Sequence, residues 1–277
     1  MLRFSYGAAS HVGLVRQTNE DAGFAGPYLQ IVADGVGGAA AGEIASATTT
    51  YVVSALAAAH PDQDPASLLA EAAALAHREL RRGIEDDETR RGMATTLIAA
   101  LIRGDTVTLA HIGDSRAYLW RDSTLTRLST DHTFVQTLVD AGRLTPEEAA
   151  QHPYRSVVIN SVNADDAPAT VVRELGLSVG DRLLLCSDGL TDFVLDEVLA
   201  EALTEPDPDV CAGVLVDAAL AAGGRDNVTV LISDITEGPR VSGDGRLLGA
   251  MFDPRLVVDP AAIRAGQEPE DAPSSGS

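Results

Sequence analysis

Residues 94–121, ATTLIAALIRGDTVTLAHIGDSRAYLWR, hold apolar runs separated only by the short polar stretches RGD (103–105) and GDSR (113–116). Runs of this length, rich in β-branched and small apolar residues and bounded by turn formers, predict two or three strands. Turns so short leave no room for a crossover, so consecutive strands should be antiparallel and the stretch a meander. Working outward, residues 2–9 alternate Leu2, Phe4, Tyr6 and Ala8, as in a half-buried strand, and YLQIVADG from Tyr28 reads as a more deeply buried one. Further strands fit 169–174, 181–186 and NVTVLISDI, residues 227–235.

Helices are expected between these groups. Ile44, Tyr51, Val52 and Leu56 follow a helical period from Ala40 to about His60, and a second helix begins at Asp64 as N-cap with Pro65 in its first turn. Shorter ones are expected at 133–141 and at 146–151, the latter opened by Thr145, Pro146 and Glu148 as a capping box. Helices also fit 192–203, with Asp192 as N-cap, and 208–222, capped by Asp207 and Pro208. Helix pairs alternating with antiparallel strand groups predict an α+β architecture with sheets in the middle and helices outside.

The chain has 277 residues, 45% of them hydrophobic, enough for one large domain. We expect that domain over 1–236 and a tail over 237–277, whose last dozen residues, rich in Pro, Gly and Ser, should be disordered. A formal charge of -21 repels nucleic acid and anionic membrane surfaces and attracts cations and basic peptides. All 20 basic residues are arginine, which excludes P-loop, Schiff-base and kinase-type lysine chemistry. Cys186 and Cys211 sit in apolar runs without metal-ligand spacing and read as buried hydrophobes of a reducing compartment. No run approaches a membrane span, so a cytoplasmic location and no membrane partner are expected.

Four aspartates stand where apolar strands end beside a glycine or small residue: Asp34 in IVADGVGG, Asp114 in AHIGDSR, Asp188 in LLLCSDGL and Asp226 in GGRDNVTV. One such aspartate is an ordinary turn residue; four of similar form suggest carboxylates meeting at one sheet edge. Converging carboxylates repel unless cations neutralise them, and an all-oxygen set favours Mg2+ or Mn2+. GLVRQTNED (13–21) adds Arg16, suited to a phosphate, and the acids Glu20 and Asp21, suited to ordering water.

Taken in order, GLVRQTNED, VADGVGGAAAGEIAS, ATTL, HIGDSRAYL, CSDGLTD and GGRDNVTV resemble the metal-dependent, or type 2C, protein phosphatases from about residue 5 to 236. TFVQTLVDAGRLTPEEAAQHPYRSVV (133–158) is similar to the flap of bacterial, especially actinobacterial, members. The resemblance implies two central antiparallel sheets packed face to face and flanked by helix pairs. It implies hydrolysis of phosphoserine and phosphothreonine by metal-activated water, with two Mn2+ or Mg2+ ions and a third, weaker one, and no covalent intermediate. Carried over, Asp34 bridges both metals, the Gly35 carbonyl ligates one, and Asp188 and Asp226 complete the other. Glu20 and Asp21 orient water, Arg16 clamps the phosphate, and Asp114 with Ser156 serves the third ion. Phosphorylated proteins, Ser/Thr kinases and their substrates are the implied partners, and a monomer is expected.

Three positions depart from the family pattern. Val36 stands where many eukaryotic members have His, Ala39 where bacterial relatives often have His, and Asn160 where a flap Arg is usual. Without the histidine at 36, the leaving alkoxide would take its proton from metal-bound water. None of the histidines is assigned to catalysis: His111 reads as a packed strand residue, and His11 and His132 as solvent-exposed loop residues. Trp120 reads as core. The competing readings are a non-catalytic phosphoprotein- or kinase-binding module of the same fold and a hydrolase of small phosphate esters. Retention of Asp34, Asp188 and Asp226 speaks against the first, and the missing nucleotide cradle weakens the nucleotide version of the second.

Overall fold

A computed structural model describes residues 1–36, 41–241 and 245–261; Ala39 and the last dozen residues lie outside the described residues. In chain order the strands are β1 (Leu2–His11), β2 (Ala22–Ala25), β3 (Leu29–Ala33), β4 (Gly35–Val36), β5 (Ala94–Thr95), β6 (Leu97–Arg103), β7 (Thr106–Ile112), β8 (Arg116–Arg121), β9 (Thr124–Arg127), β10 (Val162–Asn163), β11 (Val171–Leu175), β12 (Arg182–Cys186), β13 (Val228–Glu237) and β14 (Arg246–Gly249). The helices are α1 (Gly42–Ala59), α2 (Pro65–Asp86), α3 (Phe134–Asp140), α4 (Pro146–Ala150), α5 (Asp188–Thr191), α6 (Asp196–Ala202) and α7 (Pro208–Ala221).

The sheets are antiparallel: a six-stranded one in the order β11-β7-β6-β3-β2-β14, a five-stranded one in the order β1-β13-β12-β8-β9, and a short ladder β10-β5-β4. Side-chain alternation explains how they stack. Ile98, Ala100 and Ile102 of β6 meet Leu183 and Leu185 of β12 in the core between the large sheets. The intervening Leu97, Ala99 and Leu101 face outward onto Val53, Leu69, Leu80 and other residues of α1 and α2. On the far side, Leu184 and Cys186 pack under α6 and α7 with Leu199, Cys211 and Leu215. Both faces of the central strands are therefore buried, which is why they read as continuous apolar runs. Both cysteines are buried in this core as expected, with thiols pushed up by burial to about 12 and about 11. Trp120 packs at its margin.

Of the expected caps, all but Asp192 are present. Asp64 accepts from the Ser67 N–H at 2.8 Å, Asp207 caps α7, and Thr145 with Glu148 forms the capping box of α4. Three expectations are corrected. The meander holds across RGD but not across GDSR: β6 and β7 pair, whereas β8 pairs with β12 in the other sheet. Strand periodicity does not reveal sheet membership when both faces are apolar, and Gly113, at φ 100°, turns the chain across the gap. The helix expected over 192–203 is α6, which starts only at Asp196, and a separate short helix, α5, precedes it, so Asp192 ends α5 rather than capping α6. A Cβ on Gly189 would stand 1.9 Å from the Asn227 carbonyl, so α5 lies directly against the start of β13 before the chain redirects.

The third correction concerns the tail. Residues 246–249 form β14, which pairs with β2 and covers what would otherwise be a bare sheet edge. Leu248 is buried between the sheets, and Ala250 and Met251 pack with Ala22 and Ala47. The boundary expected at 236 therefore falls short of the packed chain, which continues through the segment to 261. Leu248→Ala should cost about 2–3 kcal/mol in urea unfolding; an unchanged midpoint would mean that the strand is dispensable.

Candidate active site

The topology places the predicted acids at one edge. β3 and β7 both run antiparallel to β6, so Asp34 and Asp114, just after their C-terminal ends, leave the six-stranded sheet on the same side. β2 is antiparallel to β3, which brings Asp21, just before β2, to that side too. In the facing sheet β12 and β13 are antiparallel, so Asp188 after one and Asp226 before the other share an edge.

Asp34 and Asp188 are half-buried. Their carboxyl groups lie close enough to shift each other's protonation. Desolvation, followed by the charges of Asp21, Asp188 and Asp114, pushes Asp34 well above the carboxylate range; desolvation and the charge of Asp192 push Asp188 to about 6. Asp114 is buried and pushed well up by desolvation, then by Asp188 and Asp131. The backbone holds Asp34 firmly: its N–H donates to Thr96 Oγ1 at 2.9 Å, and its carbonyl accepts from the Thr96 N–H at 2.9 Å. Thr96 in turn bonds Ser115, next to Asp114, at 2.7 Å.

Asp21 is wholly buried, and desolvation raises its pKa to about 7. Its Oδ2 accepts from Ser187 Oγ at 2.8 Å and Thr229 Oγ1 at 2.7 Å, while its Oδ1 has no partner among the described residues. Glu20 is also buried, and desolvation raises it. Gly35 is buried beside it, where a Cβ would meet the Gly42 carbonyl oxygen at 2.4 Å and that of Glu20 at 2.6 Å, so only glycine fits. Asn227 anchors the Arg16–Asp21 loop: its Oδ1 accepts from the Glu20 N–H at 2.7 Å, and its Nδ2 donates to the Val12 and Thr18 carbonyls at 3.0 Å each. Asn227→Ala should cost about 2 kcal/mol of stability, measured by chemical denaturation, because it strands three polar groups; a loss below about 0.5 kcal/mol would refute the anchoring role.

Arg16 pairs with Asp226 through two bonds, Nε to Oδ1 at 2.9 Å and Nη2 to Oδ2 at 3.0 Å, and both side chains are 40% exposed. The structure thus brings Asp21, Asp34, Asp114, Asp188 and Asp226 together, with Glu20, Gly35 and Arg16 among them. Ser156 is different: it is exposed in the flap, and no hydrogen bond among the described residues ties it to Asp114 or Asp188. The flap is instead joined to this region by Arg155 and Asp192 at 3.6 Å. Val36 is exposed, and Asn160 bonds His132 and Ala169. His11 and His132 are not exposed loop residues: His11 ends β1 and accepts from the Gly13 N–H, and His132 is half-buried. His111 is packed as expected, and burial pushes it down to about 4. Thr96, Ser115, Ser187, Thr229 and Asn227 escaped the sequence reading because single hydroxyls and amides beside strands carry no pattern.

Among the described residues, no three His, Cys, Asp or Glu side chains close on one point. Mg2+-like ions do not require that: they keep several waters and are held by one or two carboxylates. A close pair of half-buried carboxyl groups, three further carboxylates nearby and an orphaned buried Asp21 oxygen form a donor set that lacks only positive charge, and hard divalent cations fit it.

A two-sheet sandwich with helix layers and a carboxylate cluster at one sheet edge is the design of metal-dependent phosphatases, and the comparisons agree. The family model described as "Protein phosphatase 2C" matches residues 13–210, and the chain belongs to that family. The serine/threonine protein phosphatase PstP of Mycobacterium tuberculosis is 46% identical over 236 residues, covering 84% of this chain and 45% of PstP. The chain thus spans about half the length of that relative. Serine/threonine phosphatase stp of Listeria monocytogenes is 31% identical, over 81% of this chain and 94% of its own. The crystal structure of the PstP catalytic domain in complex with two manganese ions superposes with a TM-score of 0.78 at 42% identity, covering 86% of this chain and all of that one.

Proposed function

We propose that this chain is a serine/threonine protein phosphatase that hydrolyses phosphoserine and phosphothreonine with a metal-activated water and no covalent intermediate. The observation that carries the reading is the Asp34–Asp188 carboxyl pair, set with Asp21, Asp114 and Asp226 at a single edge between the sheets. Asp34, the Gly35 carbonyl, Asp188 and Asp226 would hold two Mn2+ or Mg2+ ions, and Asp114, with Ser156 if the flap closes, a third. Bound there, such ions supply Lewis acidity and a hydroxide source near neutral pH.

The residues themselves do the rest. Glu20 and Asp21 would accept hydrogen bonds from water in the site, and Ser187 and Thr229 fix the Asp21 carboxylate for that task. Arg16, half exposed on Asp226, offers a planar fork that can turn to a phosphate and offset charge on its oxygens. Val36 has no proton to give, so the proton for the departing alkoxide would have to come from water in the site. The catalytic domain, on this reading, acts as a monomer in the bacterial cytoplasm, in signalling by Ser/Thr kinases and their targets, and engages neither nucleic acid nor membrane.

The test is hydrolysis of a phosphothreonine peptide with Mn2+. Chelator should abolish it, Asp226→Ala should lower kcat/KM about 100-fold or more, and Arg16→Ala about 10- to 100-fold. Wild type and Asp226→Ala equally inert, with the fold intact, would favour a phosphoprotein-binding module. Nucleotide turnover exceeding peptide turnover would favour a small-ester hydrolase.

A further inference from the structure

The flap and the Asp114 turn meet at one residue. His132, between β9 and α3, donates its backbone N–H to the Gly113 carbonyl at 2.8 Å, and its Nδ1 accepts from the Gly113 N–H at 3.0 Å. Both backbone polar groups of the residue preceding Asp114 therefore end on His132. On the opposite side the His132 carbonyl accepts from the Ile159 N–H at 2.9 Å, and Asn160 Nδ2 approaches the same ring nitrogen at 3.0 Å. The pairing continues outward, with a bridge between Thr133 and Val158 and the Phe134 N–H donating to the Val157 carbonyl at 2.8 Å.

The chemistry of this junction is determined by its partners. Ala169 orients the Asn160 carboxamide, donating its N–H to Oδ1 at 3.1 Å and accepting from Nδ2 at 2.8 Å. Asn160 thus turns its donor side to His132. The Gly113 N–H can only donate as well, so Nδ1 is a shared acceptor and the ring proton sits on Nε2. The ring is supported by His111, 4.7 Å away between centroids, whose own Nε2 bonds the Ser115 carbonyl at 2.9 Å. The 113–115 turn is accordingly gripped at both ends by two adjacent, mutually tilted imidazoles, one of which holds the flap.

We propose that His132 and Asn160 are positioning residues that tie the placement of the flap to the Asp114 turn, so that flap engagement by a phosphoprotein and cation binding at Asp114 are energetically coupled. The proposal rests on the reading of Asp114 as a ligand of a weakly held cation. Coupling of this kind is reciprocal: whatever substrate engagement does for cation affinity, the cation does for substrate affinity. Asn160→Ala removes the flap's side of the junction, and His132→Leu removes the shared acceptor. His132→Asn keeps an acceptor, Oδ1, where Nδ1 stood.

The test compares wild type, Asn160→Ala, His132→Leu and His132→Asn. The first two variants should raise both the KM for a phosphothreonine peptide and the half-saturating Mn2+ concentration, each about three- to tenfold, the factor supplied by one or two net hydrogen bonds. His132→Asn should return both toward wild type. Amide hydrogen exchange reads the junction without turnover: added Mn2+ should slow exchange at Ile159 in wild type and not in His132→Leu, while β12 amides stay protected in both. The proposal is overturned if the variants move only one of the two constants, lower kcat alone, or leave the Mn2+ response of Ile159 as in wild type. A wild-type protein inert toward the peptide counts against the phosphatase reading instead, and the exchange arm then decides the junction by itself.

Discussion

Asp34→Asn should abolish Mn2+-dependent phosphopeptide hydrolysis, with a fall of about 1000-fold or more in kcat/KM, while leaving the metal-free protein more resistant to heat than wild type. The two effects share one cause. Desolvation, followed by the charges of Asp21, Asp188 and Asp114, holds the Asp34 pKa well above the usual carboxylate range, and those neighbouring charges repel its own. Replacing one oxygen by NH2 keeps the shape but removes one charge from the cluster. The fold gains what the cation site loses. A variant with wild-type activity would remove Asp34 from the metal site, and a variant less stable than wild type without metal would show that the cluster is not under electrostatic strain. Activity is measured by phosphate release and stability by thermal scanning in chelator.

Metal should also stabilise the wild-type protein, and do so more at high pH. In the metal-free fold Asp188 is raised to about 6, Asp21 to about 7, and Asp34 and Asp114 further still, against about 3.9 in an unfolded chain. A raised carboxyl pKa means that the folded state binds protons more tightly than the unfolded one. The stability this confers is complete below about pH 4 and is lost progressively as pH rises through each folded pKa. Between pH 5 and pH 8 the metal-free protein should therefore lose stability from these groups. Mn2+ at about 100 times its Kd contributes about 2.7 kcal/mol, or about 5–10 °C in Tm for a chain of this size. At pH 5 the ion must displace protons from the same carboxyls, so the shift should shrink. Equal shifts at pH 5 and pH 8, or none at pH 8, would contradict a carboxylate-held cation.

Much of this was legible from residue order. The alternation of Leu2, Phe4, Tyr6 and Ala8, the caps at Asp64, Thr145 and Asp207, and the repeated aspartate-plus-small-residue strand ends are local patterns, since side-chain period and turn chemistry act within a few residues. The candidate acids Asp34, Asp114, Asp188 and Asp226 were found that way. The supporting hydroxyls were not: Thr229 lies more than 200 residues from the Asp21 it holds, and nothing near Thr229 in the chain announces the contact.

The chain order of apolar runs, turn formers and acids determined by itself that antiparallel strands and helix pairs would form and that carboxylates would stand at strand ends. Only the tertiary structure decided that β8 joins the sheet opposite β7, that β14 closes the edge of β2, and that the flap rests on His132. The division has a physical origin. Period and turn geometry are encoded within a few residues, whereas the choice of sheet for a strand apolar on both faces, and of partner for an exposed edge, is made by packing between segments far apart in the chain.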